Sequence, residues 1–137
     1  MTRPDRIPPR CLDEVEQVYA RLAAELAETG LTCRACGRCC DLVGNRYRLY
    51  LSTLELGLIL DRLGIDRLPP QQGGRCGFQA PDGHCTIHAV RPLGCRTFFC
   101  EAEGEHLNHL YEKYLKQLKR LAEKWGCDWN YSQKYPE

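Results

Sequence analysis

Four cysteines fall within eight residues, Cys33-Arg34-Ala35-Cys36-Gly37-Arg38-Cys39-Cys40, and this stretch constrains the chain more than any other. Each C-x-x-C is a chelating unit, because two intervening residues let the backbone turn so that both thiolates reach one metal centre. Gly37 and the Cys39-Cys40 doublet tighten that turn. A second set, Cys76, Cys85, Cys95 and Cys100, supplies four more sulfurs. The rest of the chain reads as scaffolding that brings the two sets together.

Ten cysteines in 137 residues fit either a secreted disulfide scaffold or a metal site in a reducing compartment. The first ten residues, Met-Thr-Arg-Pro-Asp-Arg-Ile-Pro-Pro-Arg, contain no apolar core of a signal peptide. No run approaches the roughly 18 apolar residues of a membrane span. These features predict a cytoplasmic protein whose thiols stay reduced and hold metal. Adjacent cysteines such as Cys39 and Cys40 also bridge each other only with strain. With 19 basic and 18 acidic residues the chain carries no global field that would draw it to nucleic acid or a membrane. The length suits a single domain spanning 1–137.

Residues 1–10, rich in proline and arginine, read as a flexible arm. From Cys11 to Thr29, Leu12, Val15, Val18, Tyr19, Leu22 and Leu26 recur at helical spacing, and Gly30 supplies a stop. Asn45 to Leu51 alternates like a half-buried strand. Ser52-Thr53-Leu54-Glu55 is a capping box that opens a mostly apolar helix ending at Leu63 before Gly64. Turn chemistry in Gln79-Ala80-Pro81-Asp82-Gly83 predicts a small hairpin presenting Cys76 and Cys85 near each other. Ile87 to Val90 reads as one helical turn, and Pro92 biases Arg91 to extended geometry. A last helix, Glu105 to Trp125, places Leu107, Leu110, Tyr111, Tyr114, Leu118, Leu121 and Trp125 on one side, with Gly126 as its stop and a loosely docked tail from Cys127. The predicted fold is α+β, mostly α: a small domain in which two longer helices flank a cysteine-rich, metal-stabilised irregular core, 33–100, with a short hairpin.

The candidate metal ligands are Cys33, Cys36, Cys39, Cys40, Cys76, Cys85, Cys95 and Cys100. Their grouping fits two tetrahedral four-cysteine sites, one iron-sulfur cluster with spare thiols, or a cluster beside a zinc ion. The Cys33-x-x-Cys36-x-x-Cys39 spacing matches the start of bacterial ferredoxin runs, which favours a 4Fe-4S cluster or iron over structural zinc; the fourth ferredoxin cysteine is absent and Cys40 follows directly instead. Four thiolates on a divalent metal leave about two negative charges to offset. Arg91 and Arg96 are candidate donors to sulfur, with Arg34, Arg38 and Arg75 also close in sequence. His84 and His88 flank Cys85 but read better as turn and packing residues, and Cys11 and Cys127 as buried or spare thiols. No catalytic residue is assignable: no Walker loop, dinucleotide fingerprint or nucleophile elbow is present.

Taken together, Cys33-x-x-Cys36-Gly37-x-Cys39-Cys40, then Cys76, then Gly83-x-Cys85-x-Ile87-x-x-x-Arg91-Pro92-x-x-Cys95-Arg96-x-Phe98, resembles the YkgJ-type cysteine-cluster family of zinc- or iron-chelating domains. The resemblance spans about 33–100. It implies that Cys33, Cys36, Cys39, Cys40, Cys76, Cys85 and Cys95 fall on the family's cysteines, with Cys100 a less regular member. His88 stands where the family often has tyrosine, and Phe99 where proline is frequent. A related cluster in flagellin lysine methylases implies an iron-sulfur centre. The function expected is redox, electron transfer or metal handling with metal ions as partners; a structural zinc module acting as a protein-interaction adaptor is the alternative.

Overall fold

In a computed structural model of the chain, the structure describes residues 7–30, 50–70, 73–97 and 105–133, with the side chains of 105–107 and 132–133 left aside. Among the described residues the order is α1 (Pro9–Thr29), β1 (Tyr50–Ser52), α2 (Thr53–Leu63), a 3-10 turn (His88–Val90), α3 (Leu93–Arg96), α4 (Glu105–Trp125) and β2 (Tyr131–Gln133). This is the mostly α architecture, with a minor β element, that the sequence predicts.

Helix α1 begins two residues earlier than its apolar periodicity indicates. Pro9 occupies the first turn, where its missing N–H has no intrahelical partner to lose, and the carbonyl of Pro8 accepts from the amides of Cys11 at 2.9 Å and Leu12 at 3.3 Å. Part of the expected N-terminal arm is therefore helical; residues 1–6 lie outside the described residues. Gly30 ends the helix in the left-handed region at φ 77°. Cys11, Leu12, Val15, Val18, Tyr19, Leu22 and Leu26 are all buried, as the period requires.

Helix α4 lies antiparallel to α1. Lys124 pairs with Glu14 at 2.9 Å, Gln117 accepts from Arg21 at 3.0 and 3.2 Å, and Lys113 pairs with Glu25. One number rises by as much as the other falls, which sets a single register along the interface. Between these pairs Leu110, Tyr114, Leu118, Leu121 and Ala122 pack on the buried face of α1.

Helix α2 forms because the capping box closes: the Glu55 amide donates to Ser52 Oγ, and the Glu55 carboxylate accepts from the Ser52 amide. Every residue from Leu54 to Leu60 is buried. Leu54 and Leu58 join the core of α1 and α4, whereas Leu56, Ile59 and Leu60 face a second core made with Leu51, Leu68, Cys76, Phe78 and Ile87. An all-round apolar helix is thus the wall between two cores.

The tail through Gln133 is docked by strand pairing, more firmly than the loose docking the sequence predicts. Tyr131–Gln133 pairs antiparallel with β1, Tyr50 opposite Gln133 and Ser52 opposite Tyr131, while the Tyr50 and Tyr131 rings stack at 5.2 Å. The amide of Thr53 donates to Asn130 O at 2.9 Å, and Trp129 packs on the first core. A three-residue strand carries too little periodicity to be legible before its partner is known. The predicted strand at Asn45 to Leu51 is seen at Tyr50 and Leu51, runs on to Ser52, and lies outside the described residues over 45–49.

Candidate metal centre

Cys76, Cys85 and Cys95 all lie on the segment 73–97, which crosses the second face of α2. The predicted hairpin is present: Gln79 and Cys85 form an antiparallel bridge, Ala80 N donates to His84 O at 2.8 Å, and Thr86 N donates to Phe78 O at 2.9 Å. The Gln79 side-chain amide holds the Gly83 carbonyl at 2.9 Å. Gly83 takes φ 93°, a conformation that needs glycine at the turn. Phe78 and Ile87, on the two arms, are buried in the second core and fix the hairpin against α2.

Gly77 is the tightest point of the segment. A Cβ there would meet the carbonyl oxygens of Pro70 at 2.4 Å and Pro69 at 2.8 Å, so only glycine lets the chain pass beside Cys76. Cys76 itself is buried, and its carbonyl accepts from Gln79 N at 3.1 Å.

Cys95 sits on α3, whose placement depends on Glu55. This carboxylate is buried, with 1% exposure, and accepts from Tyr19 Oη at 3.0 Å, Ser52 Oγ at 2.9 Å and the Leu93 amide at 2.5 Å. It therefore ties α1, the start of α2 and the start of α3 together. Desolvation raises its pKa above the ordinary carboxylate value, opposed by the hydrogen bonds from Leu93, Ser52 and Tyr19. The Tyr19 phenol is likewise pushed well above its usual value, by burial first and then by Glu55. Burial raises Tyr131 to about 12, with Glu55 and Tyr50 adding to the effect.

The two arginines brace the same turn. The Arg96 guanidinium lies 4.0 Å above the Tyr19 ring and donates to the carbonyls of Arg91 at 2.7 Å and Ala89 at 2.8 Å. Arg91 Nε donates to His88 O at 3.0 Å. Desolvation lowers the Arg96 pKa, partly countered by Tyr19, Glu55 and Cys95 around it. Its charge thus stands beside Cys95 while its donors hold backbone. His88 is exposed, and its pKa is lowered by desolvation and by Arg91 and Arg96. His84 pairs with Asp82 at 3.1 Å in the turn, as a turn residue does.

A family model matches residues 32–127, more than half of the chain; it is the CxxCxxCC model, described as "Putative zinc- or iron-chelating domain". The chain belongs to the CxxCxxCC family. That membership supports metal binding through the cysteine cluster, with zinc or iron as the ion. Comparison with curated proteins and with solved structures gives no match.

Of the cysteines that the sequence predicts as ligands in the CxxCxxCC domain, Cys76, Cys85 and Cys95 are described; Cys33, Cys36, Cys39, Cys40 and Cys100 lie outside the described residues. Among the described residues no three His, Cys, Asp or Glu side chains converge on one point. The three described sulfurs fit a zinc or iron centre by donor chemistry, and a four-thiolate site would draw further sulfur from 33–40 or 100. The sequence marks Glu55 only as a capping residue. Its hold on Tyr19 and Leu93 was not legible, because a capping box announces a helix start and says nothing of what else packs on the glutamate.

Proposed function

We propose that this CxxCxxCC domain holds iron, as a 4Fe-4S cluster or as iron ions, on thiolates drawn from Cys33, Cys36, Cys39, Cys40, Cys76, Cys85, Cys95 and Cys100, and serves a redox, electron-transfer or metal-handling role in the cytoplasm. The observation that carries this reading is that Cys85 and Cys95, partly exposed, and the buried Cys76 lie on one segment whose backbone is braced by the hairpin and by the Glu55 carboxylate. Cysteines gathered on a braced segment are placed for ligation. The ferredoxin-like spacing from Cys33 to Cys39 favours iron within the zinc-or-iron choice of the family. An iron-sulfur cluster would supply one-electron chemistry. The chain's own part is to hold the sulfurs on a braced backbone and to set positive charge, at Arg91 and Arg96, near them.

Protein purified without oxygen tests this by visible absorbance together with iron, zinc and acid-labile sulfide per chain. Brown protein with sulfide equal to iron is expected. Colourless protein with zinc alone would overturn it in favour of a structural zinc module that binds a protein partner.

A further inference from the structure

Two cysteines stand apart from the cluster: Cys11 in the first turns of α1 and Cys127 just beyond α4. The antiparallel helix pair brings their ends together. Glu14 faces Lys124, Arg21 faces Gln117 and Glu25 faces Lys113, so the first turn of α1, which carries Cys11, lies against the end of α4, just before Cys127. Gly126, at φ 66°, turns the chain, and the Cys127 amide then donates back to Ala122 O at 2.9 Å, which fixes the residue against the end of the helix. Cys127 packs on the core that contains Cys11, and its thiol donates to Trp125 O at 3.9 Å. Both are thiols in this structure.

We propose that Cys11 and Cys127 form a hydroperoxide-sensitive dithiol, separate from the metal-binding cysteines, that closes to a disulfide joining α1 to the segment after α4. The two sulfurs have unequal surroundings. Cys11 is 0% exposed, whereas Cys127 is partly exposed and reachable by a small oxidant. Burial first, and then the neighbouring Cys127, push the Cys11 thiol up to about 12, and with no exposed surface it is not the sulfur that meets the oxidant.

The Cys127 thiolate attacks the outer oxygen of a hydroperoxide, the O–O bond breaks, and water or an alcohol leaves. Cys127 becomes a sulfenic acid, oxidised by two electrons as the peroxide is reduced. Cys11 sulfur then attacks Cys127 sulfur, the S–O bond breaks, and the hydroxide leaves as water with the Cys11 proton. Two thiols and one hydroperoxide give one disulfide, one alcohol or water, and one further water. The loop so closed spans nearly the whole chain, so the link restricts the unfolded state strongly and should raise the melting temperature by about 10 °C.

The full chain as purified is treated with one equivalent of hydrogen peroxide, alkylated, digested without reduction and mapped by mass spectrometry. The expected result is a Cys11–Cys127 linked peptide as the main oxidised species, metal content unchanged, and a melting rise reversed by dithiothreitol. Cys127→Ser should lose both the link and the rise. Separate alkylation of Cys11 and Cys127, a link from either to a cluster cysteine, or metal loss before the link forms would each overturn the proposal. The linked peptide and its loss in Cys127→Ser are read the same way whichever metal the cluster holds.

Discussion

The helix pair α1 and α4 and the segment 73–97 achieve order by different means. The pair is two long amphipathic helices whose apolar stripes meet along their length, so packing alone specifies it. The segment has few apolar anchors, Cys76, Phe78 and Ile87 in the second core and Leu93 in the first, and is held besides by turn hydrogen bonds, a glycine passage and one buried carboxylate. The first is held by its own packing. The second keeps Cys85 and Cys95 partly exposed, where a bound metal would add order because its binding energy is folding energy.

Glu55 belongs to both regions, so its removal should have the largest effect. Glu55→Ala leaves the Tyr19 hydroxyl and the Leu93 amide buried without their acceptor and should cost about 4 kcal/mol in denaturant unfolding. Its pH signature separates charge from shape. Because the folded-state pKa is raised above the ordinary 4.5, the folded chain binds the proton more tightly. The stabilising contribution is fully present below the unfolded value and is lost as pH rises through the folded one. Melting curves of wild type should fall relative to Glu55→Gln as pH increases through that window; parallel curves would remove Glu55 titration from the account.

Leu22→Ala probes the scaffold alone. Leu22 is 0% exposed between α1 and α4, and truncation should cost about 3 kcal/mol, with the same loss in metal-loaded and metal-free protein. A loss confined to one form would mean that the scaffold and the cysteine segment are not separable.

Two glycines sharpen the contrast. At Gly77 a Cβ would strike the backbone of Pro69 and Pro70, and Gly77→Ala should cost about 2 kcal/mol and speed amide exchange in 73–97 while α1 and α4 keep their protection. At Gly57, inside α2, the Cβ clashes with the end of the Ile7 side chain, which can swing away, and touches Leu12 at an ordinary contact distance of 3.7 Å. Gly57→Ala should therefore change stability by less than about 1 kcal/mol, because the gain in helix propensity offsets the displaced contact. Equal effects at the two positions would erase the distinction.

The smallest effect belongs to the surface. Arg62 at the end of α2 pairs with Asp13 at 3.0 Å and Glu16 at 2.5 Å on α1 and with its neighbour Asp61 at 2.7 Å. Arg62→Ala should lose under about 1 kcal/mol, and the loss should vanish in high salt. A larger, salt-independent loss would make this network part of the junction between the helices.

Local signals by themselves determined much of this protein. The period of Leu12 to Leu26 and of Leu110 to Leu121, the capping box at Ser52 and Glu55, the stops at Gly30, Gly64 and Gly126, and the turn at Asp82-Gly83 each act over a few residues, and each appears where the sequence places it. The cysteine spacing likewise pointed to the family that the matched residues then showed. What only the tertiary structure decided joins residues far apart in the chain. The pairing of Tyr131–Gln133 with β1, the division of α2 between two cores, the reach of Glu55 to Tyr19 and Leu93, and the meeting of Cys11 with Cys127 leave no periodic trace. Helical spacing states which face is buried, not against what, and a short strand or a lone polar contact is specified only once the packed elements bring its partner within reach.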